Sequence, residues 1–380
     1  MKRVVLSAIL VFEAFGCAGA ASSAPHVQAG FTIERIASID GARELASAPN
    51  GDLFVGTSGN QVMVVQHAEA QHPAAPHEFA RFDDSPAAGV ALSAGALFVG
   101  TQFGIYRIPY RLGDARARTQ PEKLVSVRPS GIARSHETTS VAWSGDTLYA
   151  SIGSSCNACD PEVDATRATI QRVDVERRSL APVATHIRNA IALTVDPKTH
   201  ALWAGVAGVD DLAPGQPYEI FDDVTAHELP VTYGWPSCYD NRRVHPKWPA
   251  DCSKAAIPRV VFPAYATPIG AAFYDPPPAA RYAFPEAYRS GVFVTLHGSW
   301  HDNGGYVSPR VAFGPMRGDD PVRAVNWNDP TTQWSTFVGG YQEGSTNARI
   351  GRPTGVAVGP QGSLFVADDL TGAIYRIRPK

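Results

Sequence analysis

Short apolar runs, each interrupted by a polar turn containing Gly, Asn or Asp, recur along the chain. They read "ELASAPNGDLFVGTSGNQVMVV" (44–65), "GVALSAGALFVGTQFGIYRI" (89–108), "SVAWSGDTLYASIGS" (140–154) and "IALTVDPKTHALWAGVAG" (191–208). A looser copy spans 268–300, and "TGVAVGPQGSLFVADDLTGAIYRI" (354–377) is the last. Apolar stretches of this length around turns such as "PNGD", "WSGD" and "GPQG" predict antiparallel strand pairs. One pair cannot bury both of its faces. Units starting roughly 45–50 residues apart fit a β-propeller, whose blades cover each other around a central axis. Six units predict an all-β, six-bladed propeller forming a single domain over 25–380, with an insertion at 210–265 decorating one face. No long amphipathic helical pattern competes.

Bulk properties narrow the partners. Formal charge is −3 and there is no basic stripe, so nucleic acid is not an expected partner. Gly (34) and Pro (31) are abundant, as many short strands joined by turns require. The N-terminus has Lys2 and Arg3, then an apolar stretch Val4–Phe15 broken by Glu13, then small residues. This reads as an export signal over residues 1–24, cleaved somewhere within 16–24, and places the mature protein in the periplasm or outside the cell. A lipidated Cys17 is the alternative, and membrane attachment would follow only from it. Four further cysteines remain: Cys156, Cys159, Cys238 and Cys252. An even number in an oxidising compartment favours disulfides, paired locally as 156–159 and 238–252. A zinc site would need a second knuckle, which the thirteen residues between Cys238 and Cys252 do not form. A redox pair is the third reading of "CNAC".

Propellers bind ligands at the channel mouth, so polar residues at the heads of the repeated strands are the candidates. His136 precedes the third unit, in "SHETTSVAW", and could act as a general base. Arg188 and Asn189 head the fourth unit, and Arg352 the sixth. Either guanidinium could clamp a carboxylate. Equivalent positions in three units predict an anionic ligand with several carboxylates or phosphates. Trp300, in "TLHGSWHDNGGY", could stack on a flat ring. Asp368 and Asp369 could bind calcium or anchor an arginine; the acidic loop "DDLAPGQPYEI" lacks EF-hand spacing.

Together "HETTSVAWSGDTLYASIGSSCNACD", "IRNAIALTVDP", "YGWPSCYD", "FPEAYRSGVFVTLHGSW" and "GRPTGVAVGPQGSLFVADDLTGAIYRI" resemble the glucose/L-sorbosone dehydrogenases. The resemblance runs in order over roughly residues 30–378. It implies an exported six-bladed propeller that uses pyrroloquinoline quinone (PQQ) and calcium to oxidise an aldose or a sorbosone-type sugar. It implies His136 as the base that takes the hydroxyl proton while hydride passes to PQQ. Arg188, Asn189, Arg352 and Trp300 would hold PQQ, and the backbone at Gly208 would hold calcium. The chain departs from the family pattern at Thr139, Ala207, Val209 and Val307, with Arg310 a substitute for the lysine expected near Val307. Each lost charged hydrogen bond would cost about 1–3 kcal/mol of cofactor binding. There is no CxxCH haem motif, so the electron acceptor is left open. Two rival readings are a calcium-dependent lactonase or hydrolase, and a carbohydrate- or partner-binding propeller whose cofactor site has decayed.

Overall fold

The structure is a computed structural model that describes residues 25–132, 135–137, 139–299, 307–343 and 348–380. The expected signal, Cys17 and Trp300 lie outside the described residues. Six antiparallel sheets surround one axis. The innermost strands are Ala42–Ser47, Gly89–Ser93, Thr139–Ser144, Ala190–Val195, Pro268–Phe273 and Pro353–Val358, and each packs against the next in a closed ring. The six sequence repeats are therefore blades 1 to 6, as expected.

The insertion at 210–265 is more than decoration. Glu219–Asp223 and Val260–Phe262 are the two outer strands of blade 4, paired as Phe221 with Val260. Only the segment between them departs from the sheet. It is tied by the Cys238–Cys252 disulfide, and its Val231–Thr232 runs parallel to the edge of blade 3. The outer strands escaped the sequence pattern because the chain makes a long polar excursion between them.

The ring closes by pairing an early strand with the last one, after His26–Val27 has added to the edge of blade 5. Phe31–Ser38 pairs antiparallel with Ala373–Pro379, which makes the early strand the outermost strand of blade 6. Closure ties the first blade to the last, and radial packing leaves each blade only a short outer edge. Apolar side chains fill the gaps between blades. Phe31, Tyr274, Phe284, Phe293, Phe313 and Phe337 form the layer between blades 5 and 6. Trp203, Phe221, Phe262 and Phe273 form the layer between blades 4 and 5.

Close approach at the axis explains two glycines. A Cβ on Gly89 would lie 2.4 Å from the Thr139 carbonyl oxygen, and one on Gly355 would lie 2.3 Å from that of Arg43. Blades 1, 4, 5 and 6 each carry a register shift near the head of the innermost strand. Such bulges re-aim side chains, and here they sit at the end where the candidate residues lie.

Candidate active site at the channel mouth

A cavity of about 440 Å³ opens at the strand heads, lined among others by His136, Asn157, Arg188, Asn189, Gly208, Asp210, Glu219 and Thr267. His136 Nδ1 lies 2.8 Å from Ser154 Oγ and 3.2 Å from the Ser154 carbonyl oxygen. Ser154 Oγ–H itself donates to the Cys156 carbonyl at 2.7 Å. Both groups facing Nδ1 are therefore acceptors, so Nδ1 carries the proton and Nε2 keeps a bare lone pair. Among the described residues nothing hydrogen-bonds Nε2. Burial, and then the nearby Arg188 charge, push the imidazole pKa down to about 3. It is a neutral proton acceptor at any physiological pH.

Arg188 is buried, and its guanidinium is turned toward the protein. It makes four hydrogen bonds: Nε to Asn157 O, Nη2 to Asn157 Oδ1 and to Asp210 Oδ2, and Nη1 to Ala207 O. Its forked edge is occupied, and it reaches the cavity as a fixed positive charge with one N–H left on Nη1. The buried Asn189 lines the same cavity, and its side-chain amide makes no hydrogen bond to a described residue. Gly208 donates its N–H to Glu219 Oε2 at 2.8 Å, and Tyr265 donates its N–H to Oε1 at 3.0 Å. Burial pushes the Glu219 carboxyl up to about 8.

Thr267, whose carbonyl accepts the His297 N–H, links the cavity to Arg352, which does not itself line it. Arg352 donates from Nε to His297 O and from Nη2 to Gly298 O, each at 3.1 Å. Its Nη1 has no partner among the described residues. Burial, together with the charges of Arg349 and Arg43, lowers Arg352 to about 10. Asp369 pairs with Arg43 at 2.9 Å and with His297 Nε2 at 3.0 Å, so it anchors an arginine, one of its two expected roles. Asp368 accepts the N–H groups of Arg352, Leu370 and Thr371. Glu44 accepts a hydrogen bond from Ser140 of blade 3, and burial raises its carboxyl to about 8.

Arg310 stands elsewhere. It bonds Ser308 O and Thr336 Oγ1 and lies over the Trp334 ring, on the outer side of blade 5. Neither Thr336 nor Trp334 lines the cavity. Thr139 is buried, with its backbone packed close to Gly89 and Gly100 of blade 2. Val209 is buried in a small cluster with Leu212 and Trp235, and Val307 donates its N–H to Ser299 Oγ. Sequence reasoning did not single out Arg43, Glu44, Asn157, Glu219 or His297. Arg43 and Glu44 sit in the head of the first unit as Arg352 does in that of the sixth, a signal that could have found them. Both expected disulfides, Cys156–Cys159 and Cys238–Cys252, are present.

Comparison with known proteins gives a consistent picture. Residues 241–380 match the protein family described as TrAA12-like. Three solved propellers superpose over 94% of the chain. One is a Trichoderma reesei carbohydrate-active enzyme of family AA12, 19% identical, with 98% of its chain covered and a TM-score of 0.78. The second is the PQQ domain of a pyranose dehydrogenase from Coprinopsis cinerea in its holo form, 17% identical, with 98% covered and a TM-score of 0.78. The chain shares their fold. The third is a PQQ-bound aldose sugar dehydrogenase from Streptomyces coelicolor, 17% identical, with 100% covered and a TM-score of 0.61. An uncharacterized protein of Borreliella burgdorferi is 23% identical over 235 residues, a match spanning 60% of this chain and 56% of that protein. The chain thus matches just over half the length of that relative.

Proposed function

We propose that this protein is a PQQ-dependent dehydrogenase of an aldose or sorbosone-type sugar, with His136 as its base. The observation that carries this reading is the neutral His136, with Nδ1 protonated and Nε2 bare, in a cavity that also presents the Arg188 charge and the Asn189 amide. A flat tricarboxylate suits a cavity of about 440 Å³ with the Arg188 charge on its wall. The likeness to propellers named for PQQ and for sugar oxidation supports the same reading.

The residues present fit the cofactor. The Asn189 amide in the cavity, and Arg352 Nη1 beyond Thr267 and His297, would be the donors for its carboxylates and carbonyls. The backbone at Gly208, with Asp210 and Glu219 beside it, offers the hard oxygens that calcium prefers. A cation there would draw the Glu219 proton off, since burial, helped by the Asp210 charge, is what holds that carboxyl neutral. When bound, PQQ supplies the two-electron acceptor that takes hydride from the sugar carbon. The chain's own work is narrower. His136 Nε2 takes the hydroxyl proton, Ser154 holds the ring by Nδ1, and burial with the Arg188 charge keeps the ring neutral before the transfer. The two disulfides support export to an oxidising compartment, and the electron acceptor remains outside this reading.

A binding-only propeller is the second reading. It is favoured by Arg188, whose fork is spent on Asn157 and Asp210, and by Val209, which is buried against Trp235. Sugar-dependent reduction of an artificial acceptor by protein reconstituted with PQQ and calcium separates the two. His136→Gln should lower turnover by about 10²–10⁴-fold while leaving PQQ affinity within about threefold. Turnover that survives His136→Gln would remove His136 as the base. PQQ binding without turnover on any aldose would favour the second reading.

A further inference from the structure

The Cys156–Cys159 disulfide closes a ring around Asn157 and Ala158, in a stretch with neither helix nor strand. Two groups in that ring reach the cavity by independent routes. The Cys156 carbonyl accepts the Ser154 hydroxyl hydrogen at 2.7 Å, which leaves Ser154 Oγ a pure acceptor toward His136 Nδ1. Asn157 uses both of its oxygens. Its carbonyl accepts from Arg188 Nε at 3.2 Å and from Trp235 Nε1 at 3.0 Å. Its Oδ1 accepts from Arg188 Nη2 at 2.8 Å and from the Asp210 N–H at 3.0 Å. Glu162 steadies the near end of the ring by accepting the Ser155 N–H.

We propose that the Cys156–Cys159 ring is a positioning element for the channel mouth: through Cys156 O it turns the Ser154 hydroxyl to join the Ser154 carbonyl as an acceptor for His136 Nδ1–H, and through Asn157 it fixes Arg188 and the Asp210 backbone. An irregular loop has no ladder of its own to hold two carbonyls and an amide in place. A covalent ring removes most of the alternative backbone states that would misdirect them. None of the ring's side chains needs to touch the substrate. In a reducing environment the same loop would lose this constraint.

The catalytic consequence rests on His136 being the base, but the geometric statement does not. The test is therefore read first by nitrogen NMR of the histidine side chains, with the His136 signals identified by their loss in His136→Gln. Wild-type protein should show Nδ1–H with a bare Nε2. In Cys156→Ser/Cys159→Ser the Ser154 hydroxyl is free to turn and donate to Nδ1, so a fraction of the Nε2–H tautomer should appear, whereas Ser154→Ala, which keeps the Ser154 carbonyl on Nδ1, should stay Nδ1–H. Asn157→Ala should weaken PQQ binding roughly tenfold, the loss of one hydrogen bond to a charged group. It should leave the His136 tautomer unchanged. A wild-type tautomer in a folded double-serine variant would overturn the proposal. If that variant does not fold, wild-type PQQ affinity in Asn157→Ala would overturn it. A wild-type protein that neither takes up PQQ nor oxidises sugars would defeat the function proposed above, and the tautomer measurement would still decide this one.

Discussion

His136 is held neutral by burial and by Arg188, well below the ordinary histidine range. An exposed catalytic histidine would give kcat/KM an acid limb near the ordinary imidazole value of 6.5. Here that limb should be absent, and activity should persist unchanged by imidazole titration down to about pH 5, followed as kcat/KM against pH. Arg352→Ala should weaken PQQ binding by about 10–100-fold in an absorbance titration, because it removes a charged donor. The strand-head residues His136, Asn189 and Arg352 were legible in the sequence because the repeat places them at equivalent positions. The Arg188 contacts were not, since its partner Asn157 lies 31 residues away in a loop without periodicity. The Arg43–Asp369 pair was hidden for the same reason, its members lying 326 residues apart and meeting only because the ring closes.

The innermost strands decide where those side chains point. Gly355 brings blade 6 against Arg43 of blade 1, and an added methyl would meet the Arg43 carbonyl oxygen. Gly355→Ala should therefore destabilise by about 1–3 kcal/mol, as overpacking does, and should also weaken cofactor binding by moving Arg43. Thermal unfolding and a PQQ titration on the same variant check both effects. Strand pairs were legible from alternating apolar runs and turn residues, blade by blade. The outer strands of blade 4 were not, because Val260–Phe262 is three residues long and follows a long polar excursion. The register shifts at the strand heads were equally invisible, since a bulge adds a residue without changing composition.

Four buried groups shape the pH dependence of the molecule's stability. His136 and His297 are depressed to about 3 and about 4, and burial leads in both. The unfolded chain takes up their protons below pH 6.5 while the folded chain does not, so their contribution is lost as pH falls from 6.5 toward those values. Glu44 and Glu219 are raised to about 8, so their contribution is complete below 4.5 and lost as pH rises through 8. The two trends oppose each other between 4.5 and 6.5. Stability of the unliganded protein should be nearly flat there and decline on both sides, measured by denaturant unfolding across pH. His136→Gln should soften the acid side. Closure adds a second expectation. Phe293 is fully buried in the layer that also holds Phe31 of the closing strand, and Phe293→Ala should cost about 3–5 kcal/mol. The propeller as a whole was legible because its units repeat. The identity of the closing strand was not, because Phe31–Ser38 meets its partner only at the far end of the chain. The central claim, a PQQ-binding cavity at the channel mouth, is tested most directly by titrating metal-stripped protein with PQQ, with and without calcium. Saturable binding at one site, tightened by calcium and weakened in Arg352→Ala, is the predicted result. No saturable binding at high micromolar PQQ with calcium present would contradict it.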